Sequence, residues 1–127
     1  MTASTGRPRR GKDAKTYAKG LWAETIAALL LMAKGYRILD RRFRSPVGEI
    51  DLVARRGRRV AFVEVKIRPT AEDGAWSVTP RQQRRIARAA EAWLQRNPWA
   101  AQSVLSFDVV LASPRALPRH LKDAFRI

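Results

Sequence analysis

A chain of 127 residues with 46% apolar side chains has the material for one domain and one core, and its longest apolar cluster, Leu29-Leu30-Leu31-Met32, is far short of the ~20 residues of a membrane span. Lack of cysteine excludes disulfides and thiolate metal centres, the single His120 excludes a histidine-rich zinc site, and without a signal-peptide arrangement the expected location is cytoplasmic. Twenty-six Lys and Arg against 11 Asp and Glu give a net charge of +15, the footprint of a protein that meets nucleic acid, with anionic membrane surfaces and acidic proteins as competing explanations.

Residues 1–12 combine small, turn-forming and basic residues with almost nothing to bury. They are expected to be a flexible tail that either trails along a phosphate backbone or only aids solubility, leaving 13–127 as a single domain. From Asp13, a candidate N-cap, to about Lys34, helical spacing gathers Ala18, Trp22, Ile26, Leu29 and Ala33 into one apolar stripe, with Gly35 as the C′ glycine. Glu24 falls at the edge of that stripe, where it either leans over the sheet or pairs with a nearby arginine. Tyr36 to Arg44 reads as a first strand, running into the turn Ser45-Pro46-Val47-Gly48; its Arg41, Arg42 and Arg44 are either solvated or face nucleic acid.

Residues 48–68 are expected to form a hairpin with its turn at Arg55–Arg59 around Gly57, both strands being apolar apart from a few charges. Those charges are Glu49, Asp51, Glu64 and Lys66. Alternation puts Glu49 with Asp51 on one face and Glu64 with Lys66 on one face; if the two faces coincide, Asp51 and Glu64 converge on adjacent strands. Two carboxylates ~4 Å apart at an effective dielectric of ~20 repel by about 4 kcal/mol. A hard cation such as Mg²⁺ removes that penalty, and a neighbouring lysine can hold or polarise a metal-bound water, which is the set of groups that metal-assisted phosphodiester hydrolysis requires. The competing reading is a structural salt bridge between Lys66 and Glu64, with Asp51 capping a turn or facing solvent.

Residues 68–79 lack periodicity and form a loop beside this cluster, in which Trp76 either packs in the core or stacks on a base. Thr79 as N-cap and Pro80 at N1 open a helix that ends near Asn97. Ile86, Ala87, Ala90, Trp93 and Leu94 make its apolar face; Arg81, Arg84, Arg85 and Arg88, with no interleaved acid, make a stripe suited to phosphates. Val104–Leu111 is the last core strand; its one acid, Asp108, reads as structural, for instance paired with an arginine of the preceding helix, and is not placed in the metal shell. After Pro114 the chain is expected to be irregular, with one short packed piece.

Gly48-Glu49-Ile50-Asp51-Leu52-Val53 followed by Phe62-Val63-Glu64-Val65-Lys66 resembles the core of the YraN-type family of predicted endonucleases, in the PD-(D/E)xK restriction-endonuclease-like superfamily, which is similar to archaeal Holliday junction resolvases. The likeness extends to Gly20-x-x-x-Glu24-x-x-Ala27, Gly35-Tyr36-x-Ile38-Leu39 and Phe107-Asp108-Val109-Val110; Ile50 stands where the superfamily's name has proline. It implies that Asp51, Glu64, the Val65 carbonyl and Glu24 ligate Mg²⁺ or Mn²⁺ and that Lys66 positions or activates the attacking water. It also implies DNA as partner, branched or otherwise structured DNA as a substrate class, and Asp51, Glu64, Lys66 and Glu24 as the catalytic set.

The expected fold is therefore α/β, a mixed central sheet flanked by helices with an α-β-β-β-α-β core. The expected function is a metal-dependent DNA endonuclease; no membrane partner is expected, and a homodimer is expected where both strands of a duplex or junction are cut. The rivals are a nucleic-acid-binding accessory protein that retains the nuclease fold without catalysis, and a basic RNA- or ribosome-associated module, which leaves the acid cluster unexplained.

Overall fold

The computed structural model describes residues 10–69 and 77–126. The remainder of the N-terminal tail and Trp76, with most of its loop, lie outside the described residues. In chain order the elements are α1 (Arg10–Ala33), β1 (Arg37–Ser45), β2 (Gly48–Arg56), β3 (Arg59–Ile67), α2 (Pro80–Arg96), a 3₁₀ turn (Pro98–Gln102), β4 (Val104–Ser113) and β5 (Ala116–Phe125). The sheet order follows the chain, β1-β2-β3-β4-β5. Its neighbours are antiparallel except for β3 and β4, which run parallel from Arg59↔Val104 to Ile67↔Ala112 with α2 as their crossover. This is the expected mixed α/β architecture.

The helices cover opposite faces. Ala27, Ala28 and Leu31 of α1 pack on Leu52, Ala54, Ala61, Val63 and Val110. Ala89, Ala90 and Trp93 of α2 pack on Phe43, Ile50, Val53, Val60 and Phe62, while Ile86 joins Val109, Leu111 and Phe125. Three elements hold α2 at a fixed height. Thr79 and Gln82 close a capping box around its N-terminus, the Trp93 indole donates to Asp40 Oδ2 at 3.0 Å, and Gly48 touches its backbone. A Cβ on Gly48 would stand 2.2 Å from the Arg85 carbonyl oxygen, so only glycine lets α2 press onto the β1–β2 turn.

Four sequence expectations are corrected. Helix α1 begins at Arg10, upstream of the N-cap expected at Asp13; its C-terminal Gly35, at φ 92°, ends it as expected, with the Gly35 and Tyr36 amides donating to the Met32 and Leu31 carbonyls. The stripe expected to be buried faces outward: Ala18, Trp22, Leu29 and Ala33 are exposed, and Ala23, Glu24, Ala27, Ala28 and Leu31 are the buried face. This helix is apolar on both sides, and its small residues are the ones that let it lie close to the sheet. The segment after Pro114 is a full edge strand, β5, whose polar, proline-containing sequence hides its pairing with β4.

Asp108 meets no arginine of α2. Alternation along β4 turns it to the α1 face, where it is fully buried. His120 Nε2 of β5 lies 2.8 Å from its Oδ2, and Ser106 and the Asp123 amide donate to its Oδ1. Burial alone pushes the Asp108 carboxyl up, but these hydrogen bonds outweigh it and hold the group below the usual carboxylate range. Lys34 at the end of α1 donates to His120 Nδ1, so this network ties the first helix to the last strand.

Candidate active site

Strands β2 and β3 pair from Arg56↔Arg59 to Leu52↔Val63, and the ladder stops there. The next inward amide of β3, that of Val65, donates to Asp51 Oδ2 at 2.8 Å. A carboxylate thus occupies the place of a strand carbonyl where the two strands part. Within an extended residue N–H and C=O point to the same side, so the Val65 carbonyl faces the same gap. The distortion has a counterpart in β1: Arg42, opposite Asp51 between the pairs Arg41↔Leu52 and Phe43↔Ile50, has φ 55°, a left-handed conformation that costs a non-glycine residue about 1–2 kcal/mol.

Glu64 and Asp51 meet at this gap, in a cleft of about 210 Å³ lined by Glu49, Asp51, Glu64, Gln82, Arg85 and Ile86. Burial, followed by the charge of Asp51, pushes the Glu64 carboxyl up to about 8; the neighbouring Lys66 opposes the shift without cancelling it. Asp51 is raised as well, first by burial and then by the charges of Glu24 and Glu49, against the hydrogen bonds from Val65 and Glu64. Both shifts favour the protonated form at this pair, and most of all at Glu64.

Lys66 is buried, with Nζ 3.8 Å from Glu64 Oε2. It donates to Gln82 Oε1 at 3.1 Å, and the same oxygen accepts from the Thr79 amide. Gln82 is the N3 residue of the α2 capping box, so the helix start and the lysine are held by one side chain. Sequence reasoning named Thr79 and Pro80 and passed over Gln82; the signal was present in Thr79-Pro80-Arg81-Gln82, a capping-box pattern on the helix that follows the Glu-x-Lys strand.

Glu24 does not join the pair. It is buried on α1, but Arg42 Nε donates to both its oxygens, at 3.0 and 2.9 Å, and Arg41 lies 4.0 Å away. The arrangement seen is the one in which an acid on the helix pairs with a nearby arginine, although its charge still reaches Asp51. Among the described residues, no group of three or more Asp, Glu, His or Cys side chains gathers closely enough to hold a metal. The chain's donors fit a hard divalent cation all the same: two carboxyl side chains that line one cleft, with a backbone carbonyl facing the gap. Mg²⁺ is commonly held by one or two carboxylates, the rest of its shell being waters and substrate phosphate.

Arg81, Arg84, Arg85 and Arg88 are all exposed on α2, and none forms an ion pair among the described residues. With Pro46 and Val47 they line a groove of about 460 Å³, and Arg85 lines both this groove and the carboxylate cleft. A basic track thus leads into an acidic focus.

Fold and site together define a restriction-endonuclease-like α/β domain with a cleft at the parting of two central strands, where Asp51 and Glu64 meet near the buried Lys66. The profile of the uncharacterised protein family UPF0102 matches residues 23–112, and the chain belongs to that family. Among its relatives, a UPF0102 protein of Rhodopseudomonas palustris (strain HaA2) is 54% identical over 97% of this chain and 96% of its own. Another, from strain BisA53 of that species, is 59% identical over 86% and 84%, and one from Methylorubrum extorquens (strain PA1) is 50% identical over 98% and 94%. No described helix is long and apolar enough to cross a membrane.

Proposed function

We propose that this protein is a metal-dependent endonuclease of the PD-(D/E)xK type that hydrolyses phosphodiester bonds in DNA, with branched or otherwise structured DNA as the favoured substrate. The observation that carries the proposal is the convergence of Asp51 and Glu64 in one cleft at the parting of β2 and β3, beside the buried Lys66. Binding alone does not call for two acids forced together in a protein of net charge +15, whereas a cation site does.

In this reading Asp51, Glu64 and the Val65 carbonyl hold Mg²⁺ or Mn²⁺. The bound cation supplies Lewis acidity at the scissile phosphate and a water of lowered pKa. Lys66, kept in place by Gln82, directs its ammonium at the developing negative charge or at the attacking oxygen. Glu24 adds negative field through space and would ligate only by giving up Arg42. Arg81, Arg84, Arg85 and Arg88 draw the phosphate backbone along α2 toward the cleft, each contact releasing counterions.

The test is nicking of plasmid, single-stranded, flap and four-way-junction DNA with Mg²⁺, Mn²⁺ or EDTA, wild type beside Glu64→Ala and Lys66→Ala. Metal-dependent cutting that both variants lose is the expected outcome. Tight, salt-sensitive binding with no cutting on any substrate would leave a non-catalytic DNA-binding protein that retains the fold.

A further inference from the structure

The arginines that the site does not use gather at the opposite end of the hairpin. Arg37, Arg55, Arg56 and Arg58 are all exposed, and among the described residues none pairs with an acid; Arg59, the fifth arginine there, is already taken by Asp123 at 3.1 Å. Two of the four guanidinium groups are held in place. Arg55 donates to the Gly57 carbonyl at 3.0 Å and lies over the Trp99 ring at 4.8 Å, and Trp99 itself is 46% exposed. Arg56 donates to the Lys34 carbonyl at 3.0 Å and lies over the Tyr36 ring at 5.1 Å. Arg37, Arg55 and Arg56, with Gly35 and Gly57, line a recess of about 330 Å³. The local field is strongly positive: the Lys34 ammonium is pushed below its usual range by partial burial and then by Lys122 and Arg56.

Like charges held this close, with no acid partner among the described residues, repel one another. Guanidinium groups fixed by stacking and by backbone carbonyls, around a concave surface, are preorganised for anions, and for phosphate above all. The fold also relates this surface to the cleft. Asp51 and Arg56 are five residues apart on β2, roughly 17 Å along the strand. Helix α2 spans the same interval, since Gln82 near its start touches Lys66 and Trp99, just beyond its end, touches Arg55.

We propose that the β2–β3 turn is a second phosphate-binding surface, on which Arg37, Arg55, Arg56 and Arg58 grip the backbone of the strand that enters the Asp51–Glu64 cleft. At 3.4 Å per phosphate, the grip falls about five phosphates from the cleft. The proposal rests on the reading that this protein handles nucleic acid, and not on whether it cuts.

The experiment measures anisotropy of labelled oligonucleotides against salt in EDTA, for the wild type, for R37Q/R56Q/R58Q and for R84Q/R88Q in the α2 stripe. On an oligonucleotide of about 20 nucleotides, the turn variant should lose about two units of the slope of log K against log salt and at least tenfold in affinity. On one of about four nucleotides, too short to span both surfaces, its loss should be smaller, since the α2 stripe alone can hold such an oligonucleotide. R37K/R56K/R58K, which keeps the charges, should retain most of the slope, so that a folding defect is told apart from a lost contact. Wild-type affinity and slope in the turn variant, while R84Q/R88Q loses both, would overturn the second surface and leave the proposed function standing. Binding of inorganic phosphate at the turn with an unchanged oligonucleotide slope would also overturn it, as a site for free anions alone. A wild type that binds no oligonucleotide overturns both proposals.

Discussion

A carboxyl that keeps its proton to about pH 8 competes with any cation for its own oxygens, and this makes Glu64 the most informative residue to titrate. Binding of Mn²⁺ should release close to one proton below that pH, so its affinity should rise about tenfold per pH unit up to about 8 and then level off. Calorimetry in buffers of different ionisation enthalpy measures both quantities; affinity independent of pH would mean that the cation does not bind at this pair. The metal-free protein carries the same signature in its stability. The folded-state value lies above the unfolded one of 4.5, so the contribution of protonated Glu64 is complete below about 4.5 and is lost as the pH rises to about 8. Denaturant midpoints should therefore fall across that window in the wild type, and Glu64→Gln should flatten the curve. Lys66 and Gln82 separate in another way. Removing the Gln82 amide should cost about 10–100-fold in cleavage, because it orients the lysine, and about 1 kcal/mol of stability through the cap. Thr79→Ala should cost a similar stability and leave the cleavage rate nearly unchanged, since its hydroxyl touches only the helix.

At the scale of elements, Gly48 is what sets the distance between the arginine stripe and the carboxylates. Gly48→Ala drives a methyl group into the Arg85 carbonyl, where backbone has to give way. It should cost about 1–3 kcal/mol of stability, the usual toll of overpacking, and should weaken DNA binding as α2 lifts off the turn. Chemical denaturation and anisotropy report the two effects. The same elements show where sequence patterns inform and where they fall silent. The hairpin was legible because its strands are buried on both faces, so the few charges in it stood out; that Asp51, Glu64 and Lys66 would come together was anticipated in this way. The buried face of helix α1 was not, because a helix apolar on both sides gives no single stripe, and Ala23, Ala27 and Ala28 pack for their small size and not for their hydrophobicity. Nor was β5, since an edge strand meets water along its length and needs no alternation. Missing β5 hid the true partner of Asp108, for His120 is placed opposite β4 only by that pairing. Arg42 was seen as one of several arginines, because a left-handed residue inside a strand is set by tertiary strain and leaves no trace in composition.

At the scale of the whole molecule, the described residues bring Asp51 and Glu64 together in a single cleft. In an in-line displacement a single cleft serves a single phosphate, so a lone protomer should cut one strand of a duplex and let it go. Both strands of a duplex or a junction can be cut in one encounter only if two protomers are bound, each with its Asp51–Glu64 pair on a different strand. The arginine stripe would allow this, because the contacts proposed for it are with phosphates, which the two antiparallel strands present alike. Supercoiled plasmid should therefore appear first as nicked circles, with an initial rate proportional to protein concentration. Linear product should appear later under dilute conditions and, once a dimer forms on the DNA, should rise with the square of the concentration. Light scattering of the free protein and of its complex with a four-way junction supplies the stoichiometry. Linear DNA formed without nicked circles at the lowest protein concentrations would mean a dimer assembled before the substrate is met. Nicking alone at every concentration, with one protomer on each junction, would remove the homodimer from the mechanism and leave a single-strand nickase.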